Sequence, residues 1–403
     1  MVFLVVTAFI NSMGIGLTSP VMPALIMDIS GGEVAEAALW GGIALFIYAI
    51  MQFVFSPIVG ALSDRYGRRP VLLFSLAAFA IDMAILGIVT TLWGFLLIRA
   101  FAGIFASTFS TTNAYIADVT PREKRGVRFA LLGAAFGAGF IFGPAIGGIL
   151  GKIDVRLPFY AGAGLAALNA LYGYFVVRES LPVERRRAFE WSRANPVGTL
   201  LRLFRTPGVG PLLPVFFIAT LSSWVYPTVW SYVAIEKFAW NEQDIGLSIA
   251  YYGVIAFISQ AVVIQLLLPK ISVVRAIWLA LAVEIVALTG IGLAMDGWIV
   301  YAMVTLALIS TLQDPAIRQE LSSCVPEDAQ GELQGGLSAL TSVAMILAPI
   351  IYNGLFGLTG DKAGSIYLPG SPFIAAAGLS LLALIIYGWA HQRVTQQTAA
   401  KTT

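Results

Sequence analysis

Only one cysteine, Cys324, and one histidine, His391, occur in 403 residues. A lone cysteine closes no disulfide and builds no thiolate metal site within the chain. The single imidazole lies in the tail, which leaves none for a proton relay or metal cluster inside a membrane and no Ser-His pair for catalysis. Charge is scarce too: Asp, Glu, Lys and Arg are 11% of the residues, against about 25% in a soluble domain. An enzyme therefore has least support, and neither a cofactor nor a nucleic-acid partner is expected.

What fills the chain is apolar. Hydrophobic residues make up 58% and the mean hydropathy is +0.85. Apolar runs of about 20 residues, the length that crosses a bilayer, fall near 1–27, 39–62, 71–90, 92–117, 127–151, 157–177, 210–235, 245–268, 272–295, 297–317, 332–356 and 371–390. They are numbered here as spans 1 to 12, an all-α integral membrane protein. The first run is too long for a signal peptide and is expected to be a true span. With both termini on the cytoplasmic side, all but five of the 24 Lys and Arg fall inside. Lys152, Arg156, Lys237 and Lys362 fall outside and Arg99 within a span, and this bias supports the orientation. A bacterial-type inner membrane and a monomer are expected. The basic segment 179–208 divides the spans six and six, giving halves 1–178 and 209–393 and a cytoplasmic tail 394–403. Its arginines suit a solvated linker touching anionic membrane lipid.

The halves repeat. Pro121, Gly126 and Pro144 recur as Pro326, Gly331 and Pro349 at one constant offset of 205 residues. Two parallel repeats place a small-molecule site near the midplane between them. The halves differ in chemistry, because Arg99 aligns with Val304 and has no twin.

Between spans 2 and 3 stands Gly60-Ala61-Leu62-Ser63-Asp64-Arg65-Tyr66-Gly67-Arg68-Arg69-Pro70. A connector this short holds its charges at the lipid boundary, and its two glycines allow a tight turn. One reading is that Arg65, Arg68 and Arg69 only set topology; the other gives Gly60, Ser63, Asp64, Arg65, Gly67, Arg68 and Arg69 a gating role. The pattern resembles the loop between the second and third helices of the major facilitator superfamily. That resemblance covers the whole chain and implies the superfamily's two six-helix, pseudo-symmetric halves.

Several embedded residues are candidates for chemistry. Asp82 in span 3 and Arg99 in span 4 both lie roughly 10–12 Å deep, at about 1.5 Å per residue. They form either a static pair or a proton-coupling pair; arginine keeps its proton, so the carboxylate must exchange it. Glu284 in span 9 has no obvious basic partner and is a second proton or cation candidate. Asn11, Thr112, Asn113, Gln260 and Gln313 are polar candidates for a substrate cavity, with hydroxyls near Thr112 equally able to bond to their own helix. Trp224, Tyr226, Trp230 and Tyr252 serve either the interfacial aromatic belt or an amphipathic substrate wall. Asp118 is expected in a surface salt bridge beside Arg122, Lys124 and Arg125, and Asp314, Arg318 and Glu320 in a local ion network. In span 5, Gly139, Gly143, Pro144, Gly147 and Gly148 permit close packing and a bend. Gly143-Pro144-x-x-Gly147-Gly148 also resembles the superfamily's antiporter motif.

Within the superfamily the chain is most similar to the tetracycline-efflux subfamily, through Gly14-Ile15-Gly16-Leu17, Ser63 to Pro70, Ile81-Asp82, Ala114-Tyr115-Ile116-Ala117-Asp118, Phe142-Gly143-Pro144 and Gly331-Glu332-Leu333-Gln334-Gly335. By that resemblance Asp64 gates at the inner end of span 11, assisted by Arg68. Asp82, Arg99 and Glu284 fall on functional positions, Glu284 where those pumps carry aspartate. Two departures stand out: Asn11 replaces an acid, and Ala256 lies near the place of a histidine. The resemblance implies a drug:proton antiporter of amphipathic or hydrophobic molecules, tetracycline-like compounds among the candidates, with protons as coupling ion. The alternatives are a proton-coupled carrier of a physiological metabolite and a non-transporting membrane sensor, since a fold does not fix a substrate.

Overall fold

The computed structural model describes residues 2–106, 108–186, 203–204, 206, 208–326 and 329–402, so most of the basic linker, with Arg187, Arg193, Arg202 and Arg205, lies outside the described residues. The described residues are mostly helical, with no strand among them. The apolar runs fold into twelve spans. Ten are helices long and apolar enough to cross a membrane unaided. Span 1 is a pair, Val2–Thr18 and Met22–Ser30, bent by 48°. Span 4 is Leu92–Phe105 followed by Thr108–Val119.

The bend in span 1 follows from Pro20 and Pro23, which remove backbone donors and fit only a helix's first turn. Elsewhere the helices run past the apolar residues. Span 2 occupies Val34–Tyr66 and span 3 Arg68–Ile88, so the connector expected between them is reduced to Gly67. In lipid every backbone group must be satisfied within the chain, and continuing the helix does so.

Span 5 is Arg122–Ile153 and span 6 is Leu157–Val176. Span 7 breaks at Trp224 into Leu213–Ser223 and Val225–Phe238. Span 8 passes from Glu242–Ile258 through a π-helical turn, Ser259–Val263, into Ile264–Leu267. Span 9 is Val273–Leu293. Span 10 breaks between Gly297–Leu306 and Gln313–Ser323 at a tight 3-10 turn, Ser310–Leu312. Spans 11 and 12 are Gln330–Thr359 and Ser371–Thr402.

Two compact units result: residues 1–194 with 234–254, and 195–233 with 255–403. The first unit therefore takes in the end of span 7 and the start of span 8. Its core includes Phe3, Leu4, Leu72, Leu76, Ile116 and Leu132, with a buried hydrogen bond from Thr7 to Asn169 at 3.2 Å. The second is built around Leu213, Phe216, Ile277, Leu281, Leu337 and Tyr387. Lipid is as apolar as these side chains, so close packing and interhelical hydrogen bonds, about 0.6 kcal/mol each, hold each unit together internally.

Candidate functional site

At Gly67 the chain turns from span 2 into span 3 with φ of 105°, a backbone state that favours glycine. The turn throws Arg68 back over the end of span 2. Its guanidinium reaches Asp64 at 2.6 Å and Asp118 at 3.1 Å, and donates to the Ser63 hydroxyl at 3.1 Å. The planar guanidinium fork holds the three partners at once in a fixed geometry, where a lysine would offer only a rotatable point charge. Ser180 also donates to Asp118, at 3.2 Å. Arg69 lies over the Tyr174 ring and donates to the Tyr174 carbonyl at 2.8 Å.

Two expectations change here. Asp118 pairs with Arg68; Arg125 caps the end of span 4 instead, donating to the carbonyls of Ala117 at 2.7 Å and Thr120 at 3.1 Å. Gly60 is helical, inside Val34–Tyr66, so Gly67 alone makes the turn. Arg65 is exposed, with its guanidinium over the Tyr66 ring.

Glu179 carries no mark of a role in the sequence. Its carboxylate accepts the amides of Arg68 at 2.8 Å and Arg69 at 3.2 Å, the first free donors of span 3. A carboxylate at a helix start is favoured by those donors and the helix dipole.

Deeper in the first unit, Asp82 is 2% exposed and is paired with Arg99. The short link between spans 3 and 4 sets them at matching depth, with Thr91 capping span 4 by accepting the Gly94 amide at 3.2 Å. Tyr48 of span 2 lies within electrostatic reach of both charges. Span 4 breaks close by, and Gln52 donates to the part-buried Ala106 carbonyl at 3.2 Å. Thr112 is buried and Asn113 half-buried beyond the break.

Span 5 shows what its glycines do. A Cβ on Gly139 would meet the Phe9 carbonyl, one on Gly143 would sit 2.6 Å from the Met13 carbonyl, and one on Gly147 would strike the Leu17 carbonyl. Three glycines, four residues apart, thus lie against one face of span 1, where Gly16 in turn receives Pro144. Gly148 faces the backbone of Glu242. Gly133 and Gly137, by contrast, have open space.

In the second unit, Tyr226 and Trp230 pack edge-on against Phe373 at 5.4 and 5.9 Å between ring centroids, and Trp224 is half-buried at the break. Gln313 is buried and donates to Ser223 at 3.0 Å. Gln260 is exposed on the π-helical turn. Glu284 is 3% exposed, and no ion pair reaches it among the described residues. The expected network at the inner end of span 10 divides: Arg318 holds Asp314 at 2.9 Å, whereas Glu320 accepts from Tyr387 at 2.7 Å and has His391 at 3.9 Å.

The candidates therefore distribute over two units. Asn11, half-buried, joins Thr112, Asn113 and Tyr252 in the first; Trp224, Tyr226, Trp230, Gln260 and Gln313 are in the second with Glu284.

A family model described as Major Facilitator Superfamily matches residues 4–349. The chain is 37% identical over 382 residues to the tetracycline resistance protein, class C, of Escherichia coli, covering 94% of this chain and 93% of that one. It is 29% identical to multidrug resistance protein 2 of Bacillus subtilis (strain 168), covering 89% and 88%. Among solved structures, the nucleoside transporter NupG superposes with a TM-score of 0.76 at 14% identity, covering 97% of this chain and 98% of that one, a likeness of fold.

Proposed function

The chain belongs to the Major Facilitator Superfamily, and we propose that it is a proton-coupled exporter of amphipathic or hydrophobic small molecules, tetracycline-like compounds among them, working by alternating access. Protons are its coupling ion, and it acts as a monomer in a bacterial-type inner membrane with both termini cytoplasmic. The observation that carries this reading is the buried Asp82–Arg99 pair. A charge at that depth costs several kcal/mol and marks ion or proton pathways. Arg99 stays charged, so Asp82 is the member that takes and releases a proton. Glu284 supplies a second site.

The Arg68 cluster fits the gating role: one cation ties Asp64, Asp118 and Ser63 together at the inner end of spans 2 to 4. The glycine contact between spans 1 and 5 fits an antiporter's rigid packing.

Purified protein in proteoliposomes tests the reading. Addition of tetracycline, or of one lipophilic cation from a panel, is expected to release protons from the lumen, and Asp82→Asn to abolish the release while Asp82→Glu retains part. Proton release undiminished in folded Asp82→Asn would remove Asp82 from coupling. A proton-coupled metabolite carrier is the second reading, favoured by Asn11 and Ala256, which stand where the resemblance to tetracycline efflux implies an acid and, nearby, a histidine. Silence of the drug panel with proton-driven uptake or release of a metabolite would select it.

A further inference from the structure

The breaks in spans 7 and 10 meet at Gln313. Span 7 stops at Ser223 and resumes at Val225, and Gln313 opens the inner helix of span 10 directly after the 3-10 turn. The Gln313 side chain, 6% exposed, crosses from one break to the other. Its amide nitrogen donates to the Ala219 carbonyl at 3.4 Å and to the Ser223 hydroxyl at 3.0 Å. A carbonyl only accepts, so turning the amide over would set Oε1 against the Ala219 oxygen; the orientation is fixed. Both amide protons are therefore spent, and Oε1 is buried with no donor among the described residues.

The hydroxyls on these breaks are already committed. Each has one proton to give. Ser223 gives its own to the Ala219 carbonyl at 3.2 Å, Ser310 to Ala307 at 2.8 Å, and Thr311 to Leu308 at 2.9 Å. From other spans, Ser259 donates to the Leu308 carbonyl at 2.8 Å and Tyr352 to that of Leu221 at 2.9 Å. Redirecting any of them to Gln313 would take a donor from a backbone carbonyl at membrane depth, where no lipid group replaces it.

A buried acceptor left without a donor is costly and calls for a partner. Discontinuous helices are where secondary transporters hold their substrates, and Gln313 belongs to one such helix and is bonded to another. Half-buried Trp224 follows Ser223, an aromatic ring of the kind that takes organic cations. We propose that Gln313 Oε1 is a specificity-determining acceptor for an N–H donor on the transported molecule, reached as the breaks in spans 7 and 10 part. The class it selects is amphipathic amines that keep an N–H. This rests on the export reading and names a substrate class within it. A ligand with the donor satisfies Oε1 and favours the parted state more than a ligand without it, and a site built around a hydrogen bond rejects the analogue that lacks one.

Two cations of equal charge test this: naphthylmethyl(dimethyl)ammonium, which has one N–H, and naphthylmethyl(trimethyl)ammonium, which has none. Their affinities for the purified full chain are measured by titration calorimetry at neutral pH. The wild type is expected to prefer the N–H cation about tenfold, the worth of one hydrogen bond from a charged donor. Gln313→Met, of similar length with no acceptor oxygen, is expected to bind the two equally. Ser223→Ala, which leaves Oε1 and the Ala219 bond in place, is expected to keep the preference. Because the readout is a ratio of two ligands on one protein, general damage to the fold cancels. A wild type with no preference overturns the proposal without any variant. A preference that survives Gln313→Met, or that Ser223→Ala removes, overturns it as well. Should both cations release protons from proteoliposomes without discrimination, the proposal falls and the export reading stands; should neither bind, the proposal falls together with export of lipophilic cations.

Discussion

Gly67 and Glu179 show how much one residue's conformation depends on a partner distant in sequence. The carboxylate fills the space a Cβ on Gly67 would take and accepts the amides of Arg68 and Arg69. Removing such a cap costs about 1 kcal/mol. Glu179→Ala is therefore expected to lower thermal stability in detergent modestly and transport more strongly, because Arg68 loses its fixed starting point. Gly67→Ala is expected to be worse on both counts, combining positive-φ strain with collision at Glu179. A Gly67→Ala protein as stable as the Glu179→Ala protein would count against this account. Asp64 and Arg68 were legible in the sequence, because charges in a short connector between apolar runs have nowhere else to go. Glu179 was not: it lies 111 residues from Arg68, at the start of a segment that reads as a basic, solvated linker.

Glycine content marks span 5 in the sequence, but all its glycines look alike there. Only their faces separate them: Gly139, Gly143 and Gly147 meet the backbone of span 1, while Gly133 and Gly137 meet nothing. Gly143→Ala and Gly147→Ala are expected to force spans 1 and 5 apart, at a cost of about 1–3 kcal/mol for overpacking, with loss of transport. Gly133→Ala and Gly137→Ala are expected to transport normally. Melting temperatures and transport of the four proteins check this, and equal tolerance across them would sink it. Breaks were half legible for a related reason. Proline removes the bond to the carbonyl four residues back, so Pro227 and Pro315 account for the interruptions near Ser223 and Thr311. The π-helical turn at Ser259–Val263 has no such mark in the sequence, since a serine that bonds across to another span looks like one that bonds to its own helix.

At the scale of the whole molecule, the two embedded carboxylates fall in different compact units, Asp82 in one and Glu284 in the other, in different surroundings. Asp82 faces an arginine; Glu284 is buried with no ion pair reaching it among the described residues. An exporter that discharges both carries two protons for each substrate molecule. Each proton crossing a gradient of one pH unit yields about 1.4 kcal/mol, a factor of about ten in concentration. With the membrane potential clamped at zero, the wild-type protein is expected to sustain a substrate gradient of about 100-fold per pH unit, and Glu284→Gln about tenfold. Steady-state accumulation in proteoliposomes with an imposed pH step decides it. Equal accumulation by the two proteins would show that Glu284 carries no proton in the cycle, leaving Asp82 as the sole coupling group and a stoichiometry of one.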